Sequence, residues 1–219
     1  MTDRHQDRPA DRPAREPRPL SRAGIDAQNR YLLRRYREFR LAADRVTAAW
    51  KRHPHVAAVS LIGSLARDPW KEVPRFQPWR RAGIELWHEC KDIDLALWLD
   101  DLADLNGLRR MRARALQNLL KHEGLGIASH QVDGFVFEPG TDRYLGRLCD
   151  FNACPKGKLE CRVPGCGDVA FLRQHEDFEW QPEALAGDRA VRLFDRASGA
   201  LRQAADLPLP GDDRPESVS

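Results

Sequence analysis

Two apolar segments constrain the fold of this chain most. A short polar motif follows the first segment, and another opens the second. Residues 56–62 are β-branched and apolar, as in a buried strand, and they stop at a Gly-Ser turn. A second strand-like segment, 92–99, starts with Asp92-Ile93-Asp94. Since side chains alternate along a strand, the two carboxylates should share one face of a sheet. Such a pair can share a divalent metal ion.

Apolar residues outside these segments recur at helical spacing. Intervals of three and four predict amphipathic helices over residues 26–51 and 102–122. Their buried stripes should be Leu32, Tyr36, Phe39, Ala43, Val46 and Trp50 in the first helix, and Leu105, Leu108, Met111, Ala115 and Leu119 in the second. Another strand is predicted within 126–137, closed by a turn at Pro139-Gly140. We expect an α/β (α+β) fold, a mixed β-sheet with helices packed on one side.

Composition and length bound the class of protein. The chain has 219 residues, and its 36 basic and 33 acidic residues give a net charge of +3, too mild to require nucleic acid as a partner. No apolar run approaches the ~20 residues of a membrane span, and no signal-peptide core opens the chain. We expect a cytoplasmic protein without a membrane partner. It should have disordered tails at 1–22 and 209–219, a core at 23–145 and a small extension at 146–208 that packs on the core.

The two polar motifs carry a family resemblance. Gly-Ser-Leu-Ala-Arg at 63–67 followed by Asp-Ile-Asp-Leu at 92–95 resembles the signature of the nucleotidyltransferase superfamily that includes DNA polymerase beta, especially its small bacterial members. The resemblance covers roughly residues 49–138, with an inserted loop between the motifs. It implies a polymerase beta-like fold. It also implies Mg²⁺- or Mn²⁺-dependent transfer of a nucleoside monophosphate from a nucleoside triphosphate to an acceptor hydroxyl, with release of pyrophosphate.

Three carboxylates are the expected catalytic and magnesium-binding residues. The resemblance assigns Asp92 and Asp94 to the metal, and a third carboxylate on a neighbouring strand completes such a site and helps to deprotonate the attacking hydroxyl. We choose Asp133, because a carboxylate within an otherwise apolar strand is costly unless a metal compensates its charge. Solvation at the strand end or an arginine partner would also explain Asp133. Glu138 is the reserve candidate.

The Gly-Ser turn is the expected phosphate site. Gly63 lets the backbone approach closely, and Ser64 with the neighbouring N–H groups would hold the terminal phosphates. Arg67 would be a charge partner for the same oxygens. Ser64 is also predicted to be the N-cap of a short helix. A plain turn between a strand and a helix is the simpler alternative.

Four cysteines lie within eighteen residues and are separated by turn-forming Pro and Gly. They are Cys149, Cys154, Cys161 and Cys166. Disulfides are rare in the cytoplasm, so we predict a structural zinc knuckle with four thiolate ligands. Iron–sulfur ligation and unligated buried cysteines are the alternatives, and His175, His88 or Cys90 could replace one ligand.

Two shorter predictions concern the rest of the extension. Apolar residues in 169–172 and 178–180 indicate a short helix that packs on the core. Residues 191–196 resemble the edge strand that often ends small nucleotidyltransferase domains.

A different class of function competes with the enzyme. The fold could persist without turnover as a zinc-containing binding module for nucleic acid or a protein partner. The first predicted helix has an arginine-rich face that could contact a polyanion, although a solvated face is the simpler account. Its arginines are Arg34, Arg35, Arg37 and Arg40. Retention of both polar motifs favours the enzyme, whose acceptor the sequence leaves open.

Overall fold

A computed structural model describes residues 21–67, 69 and 77–210, so most of the two predicted tails and part of the inserted loop lie outside the described residues. Three α-helices and seven strands follow one another in the described ranges. In chain order they are α1 Arg22–Trp50, β1 Val56–Ile62, α2 Gln77–Arg81, β2 Ile93–Leu99, α3 Leu105–Glu123, β3 Val132–Phe137, β4 Tyr144–Leu148, β5 Leu172–Arg173, β6 Ala190–Asp195 and β7 Ala200–Leu201. None of the described helices is long and apolar enough to cross a membrane.

The strands form one mixed sheet in the order β5-β4-β3-β2-β1-β6-β7. β2 and β3 run parallel, joined by a crossover through α3, and the other neighbours are antiparallel. The sheet continues past the predicted boundary at residue 145, which falls inside β4. The predicted mixed α/β architecture is therefore confirmed, and strands from the extension complete the same sheet as the core.

The two long helices cover one face of the sheet. α1 begins at Arg22, four residues before the predicted start, where the Ser21 hydroxyl accepts a hydrogen bond from the Gly24 N–H at 3.1 Å. Every residue of its predicted stripe is buried. The Trp50 indole donates to the Leu108 carbonyl at 2.9 Å and ties α1 to α3. The main core lies between these helices and the sheet.

The buried stripe of α3 differs from the prediction. Met111 and Ala115 are only partly buried, while Arg112 and Leu116 face the core. Arg112 is 1% exposed because its guanidinium donates to the Val132 carbonyl at 2.8 Å and pairs with Asp150. A guanidinium whose two terminal nitrogens are paired can occupy a core position that apolar periodicity assigns to a neighbour.

Arg40 corrects the expectation of a solvated arginine face on α1. It is 1% exposed and donates to the carbonyls of Leu65 and Arg67 on one side, at 3.1 Å each. On the other side it donates to the carbonyl of Leu207 at 2.7 Å and to that of Pro208 at 3.2 Å. One side chain thereby fixes the C-terminal segment against the turn that follows β1.

Of the two shorter predictions for the extension, the helix is wrong, and the strand is confirmed as β6 but does not lie at the sheet edge. Residues 169–180 contain β5 and irregular backbone in place of a short helix. Phe171 and Asp177 have φ of 66° and 52°, which a right-handed helix cannot accommodate. β6 is not an edge strand, since it pairs with β1 on one side and with β7 on the other.

Candidate active site on the open face of the sheet

The two central carboxylates lie side by side on the sheet face that the long helices leave open and that residues 178–190 partly cover. The β2–β3 register places Asp94 directly opposite Asp133 on parallel neighbours. Ala96 and Phe135 follow them two residues later and belong to the aromatic cluster of that open face. Asp92 precedes β2 and is exposed. The structure therefore brings Asp94 and Asp133 together and leaves Asp92 at the rim.

Gly63 brings the turn after β1 against Asp94. Its φ is 72°, and a Cβ atom at this position would lie 2.6 Å from the Asp94 Oδ2 atom. Ile62 is paired with Asp94 in the β1–β2 register, which sets this approach. Any side chain here would combine backbone strain with a clash. The glycine is thus required for close contact between the turn and the carboxylate.

Ser64 does not cap a helix, contrary to the prediction. A short 3₁₀ helix covers Gly63–Ala66, so the serine lies inside it, and the residue before it has no side-chain cap. The Ser64 Oγ atom lies 3.0 Å from the Sγ atom of Cys90. Arg67 follows the 3₁₀ helix with an exposed side chain. Ser64 and Arg67 therefore border the turn, but the hydroxyl is engaged by a thiol.

Burial makes the negative charge of Asp94 costly. The pKa of its carboxyl is raised from 3.8 to about 6, chiefly by burial and further by the nearby Asp133 and Asp92 carboxylates. Arg147 lowers this pKa only in part. A cation between these carboxylates would relieve the repulsion. The electrostatics of the open face thus favour binding of a positive ion at Asp94.

Asp133 already has an arginine partner. The Arg147 Nη1 atom lies 3.0 Å from the Asp133 Oδ2 atom. The guanidinium is held between the rings of Phe135 and Phe178, at 4.4 and 4.5 Å from their centroids. The arginine alternative considered for Asp133 is therefore present in this structure. The contact uses one of the two carboxylate oxygens, Oδ2.

Metal-ligand geometry is not assembled in the described ranges. No group of three or more His, Cys, Asp or Glu side chains there stands close enough to hold a metal ion. Neither the three carboxylates nor the four cysteines form such a group in these ranges. Glu138, the reserve ligand, lies at the far end of β3 and pairs with Arg143 at 2.8 Å. That pairing lowers the pKa of the Glu138 carboxyl.

The cysteine segment, residues 149–166, carries side chains that can bind a metal, but its cysteines do not converge on one point in the described ranges. Cys149 is buried, and Cys154, Cys161 and Cys166 are half-buried. The Phe171 N–H donates to the Cys154 Sγ atom at 3.2 Å, a contact that also suits a metal-bound thiolate. Thiolates are common zinc ligands, so the four cysteines are chemically suited to bind zinc.

Of the substitute ligands for the cysteine segment, Cys90 is engaged elsewhere, while His175 lies among aromatic rings with its Nε2 atom unpartnered in the described ranges. Cys90 contacts Ser64 and donates to the Asp92 carbonyl at 3.1 Å, and burial raises the pKa of its thiol to about 11. His175 packs against Phe178, and burial together with nearby arginines lowers its pKa to about 4. The backbone N–H of His88 donates to the Pro69 carbonyl at 3.2 Å.

A cavity of about 360 Å³ adjoins the rim carboxylate Asp92. Tyr31 and Arg35 of α1 line one side, and Lys91 and His130 line the other. Sequence reasoning did not find this cavity, nor the role of Arg147. Both depend on contacts between distant segments. The alternation of side chains along the strand around Arg147 does not identify Asp133 as its partner.

The open face thus joins a glycine turn, a buried carboxylate with a raised pKa, and a second carboxylate held by an arginine. They lie just after β1 and near the starts of β2 and β3, whereas the cavity beside Asp92 is lined by α1 and by the segments before β2 and β3 and does not include them. Compared with protein-family models, with curated proteins and with solved structures, the chain matches none of them.

Proposed function

We propose that this protein is a metal-dependent nucleotidyltransferase with a polymerase beta-like core. It would transfer a nucleoside monophosphate from a nucleoside triphosphate to an acceptor hydroxyl and release pyrophosphate. The observation that carries the proposal is the contact between the Gly63 backbone and the Asp94 carboxylate, beside Asp133 on the next strand. The resemblance of the motifs at 63–67 and 92–95 supports the same assignment.

Each residue of the site has a defined task in this proposal. The backbone of Gly63 and Ser64 binds the terminal phosphates, with Arg67 as a charge partner. Asp92 and Asp94 would hold Mg²⁺ or Mn²⁺, and the ion would supply positive charge for the phosphate oxygens during transfer. Asp133 orients the acceptor hydroxyl and accepts its proton at Oδ1, because Arg147 engages Oδ2.

The cysteine segment is proposed to bind a structural zinc ion through Cys149, Cys154, Cys161 and Cys166. Thiolates are suitable zinc ligands, and the N–H group that already contacts Cys154 would remain as a second contact to the sulfur. The ion would fix a segment that is rich in turns and poor in buried apolar side chains.

One observation favours the non-catalytic alternative. The Arg147–Asp133 ion pair compensates the carboxylate without a metal, as in a fold that has kept its architecture but lost its activity. A zinc-containing binding module would keep this pair in every state. An enzyme would need Asp133 to contact the acceptor as well.

Triphosphate binding separates the two functions. The wild-type protein should bind a non-hydrolysable nucleoside triphosphate only with Mg²⁺ or Mn²⁺, and Asp94→Asn should lose this binding. Asp142→Asn, an exposed carboxylate remote from the turn, is the matched control and should bind normally. A screen of hydroxyl acceptors with labelled triphosphate then tests transfer. Metal-independent binding, or normal binding by Asp94→Asn, would refute the proposal.

A further inference from the structure

Two arginines face each other at one edge of the sheet. The β4–β5 register pairs Arg147 with Arg173, and Arg147 lies opposite Phe135 on the other side. Side chains paired in this way share a face, so both guanidiniums belong to the open face that carries Asp133. Like charges directly opposite on neighbouring strands destabilise a sheet. The arrangement therefore calls for a compensating negative charge.

The described residues supply only part of that charge. Asp133 pairs with Arg147. The guanidinium of Arg173 makes no hydrogen bond or ion pair within the described ranges and only stacks on Phe151, at 5.7 Å from the ring centroid. The carboxylate of Asp150, which is also nearby, is paired with Arg112. One arginine of the edge thus has no carboxylate of its own among these residues.

Several buried nitrogen atoms around the two arginines also have no partner in the described part of the chain. They are Nε of Arg147, Nε of Arg173, Nε1 of Trp180 and Nε2 of His175. The first three can only donate hydrogen bonds. Trp180 contacts Phe135 with 5.6 Å between ring centroids, His175 contacts Phe178, and Arg147 lies against both phenylalanines, so these three nitrogens share one neighbourhood. The β4–β5 register sets Arg173 beside Arg147. Leaving donors unsatisfied is costly, and an anion would satisfy them.

Strand order indicates which substrate carries the anion. The turn at Gly63 lies at the end of β1, Asp94 is on β2 and Asp133 is on β3, whereas the two arginines follow on β4 and β5. At a spacing of about 4.8 Å between strands, and with the arginines level with Phe135, two residues along from Asp133, the Arg173 backbone lies roughly 12 Å from Asp133 and roughly 16 Å from Asp94. The triphosphate turn and the arginines are therefore on opposite sides of the carboxylates.

We infer that Arg147 and Arg173, with the N–H group of Trp180, form a subsite for a phosphate group of the acceptor. This inference rests on the proposed function. A phosphorylated compound whose free hydroxyl reaches Asp133 fits the site, because its phosphate lies between the guanidiniums while the hydroxyl faces the second carboxylate oxygen. Polycationic acceptors such as aminoglycosides do not fit, since two guanidiniums repel them. The side chains of Arg147 and Asp133 are 19% and 25% exposed, so an acceptor can reach part of each, while the buried Nε atoms become available only as the side chains around them shift.

Inorganic phosphate is the probe for this subsite. Calorimetric titration of the full-length protein, without nucleotide or Mg²⁺, should show phosphate binding that Arg173→Gln weakens by about tenfold or more. Arg173→Lys keeps the charge and should lose less, which separates a charge effect from misfolding. Arg192→Gln is the control, because Arg192 is an exposed arginine that stacks on Trp98 at 4.2 Å near the other edge. Its phosphate binding should be unchanged.

Three results would overturn the inference. The first is no phosphate binding by the wild-type protein at millimolar concentrations, and the second is equal binding by wild type and Arg173→Gln. The third is an equal loss of phosphate and of Mg²⁺-triphosphate affinity in Arg173→Gln, since the bound group would then belong to the nucleotide. Failure of the proposed function appears separately, as normal triphosphate binding by Asp94→Asn, and leaves the phosphate titration interpretable.

Discussion

Asp94→Asn should stabilise the metal-free protein at pH 7.5 and leave its stability nearly unchanged at pH 4. The pKa of Asp94 is about 6 in the folded protein and 3.8 as the ordinary value, so the folded state binds this proton more tightly. The protonated Asp94 carboxyl therefore contributes its full share to the free energy of unfolding below pH 4, and this contribution is lost as the pH rises through 6. Asparagine resembles the protonated acid in shape and does not titrate.

The size of the effect follows from the two pKa values. The change from 3.8 to about 6 corresponds to about 3 kcal/mol of unfolding free energy at pH values above both. For a chain of this length that is a rise in Tm of roughly 6–12 °C. This figure is an upper bound, because asparagine keeps the burial cost of an amide.

Urea unfolding of both proteins at several pH values between 4 and 8 measures this difference. Asp195→Asn provides a control of opposite sign, since hydrogen bonds from Ser198 lower the pKa of that exposed carboxyl and its contribution is lost as the pH falls. Addition of Mg²⁺ should stabilise the wild type and reduce the advantage of Asp94→Asn. A stability difference that does not change between pH 4 and pH 7.5 would refute the reasoning.

Three further predictions test the remaining parts of the site. Gly63→Ala should lower the free energy of unfolding by more than Gly140→Ala does. At Gly140 the φ of 69° alone should cost about 1–2 kcal/mol, because an added Cβ atom there would meet no other atom. Equal losses in the two variants would contradict the contact between Gly63 and Asp94. Asp133→Asn should keep triphosphate binding and slow transfer by a factor on the order of 10²–10⁴ in single-turnover assays, so near-normal transfer would remove its role as a base. Elemental analysis of purified protein should find about one zinc per chain, reduced in Cys161→Ser, and zinc-free protein from metal-replete medium would exclude the knuckle.

The sequence was sufficient where local patterns decide the structure. The bounds of β1 and the buried stripe of α1 are confirmed, because apolar periodicity over many residues leaves few alternatives. The shared face of Asp94 and Asp133 also depends on strand alternation together with one register. The first two features needed no knowledge of distant partners, whereas the β2–β3 register is itself a long-range pairing.

Long-range contacts account for what the sequence did not show. Arg112 replaces an apolar neighbour in the core because a carbonyl and a carboxylate from later segments satisfy it. Ser64 contacts the thiol of Cys90, 26 residues away, and Arg147 on β4 pairs with Asp133 on the neighbouring strand β3. Neither pairing has a local signal, since both arise only when the sheet has formed.

The position of β1 has a consequence during synthesis of the chain. One edge of β1 pairs with β2, which follows within the first half of the chain, and the other edge pairs with β6, at residues 190–195. Until the ribosome has released β6, the apolar β1 presents an open row of N–H and C=O groups on that edge. Such an edge can pair with other nascent chains, so efficient folding in the cell should depend on chaperone protection of this intermediate.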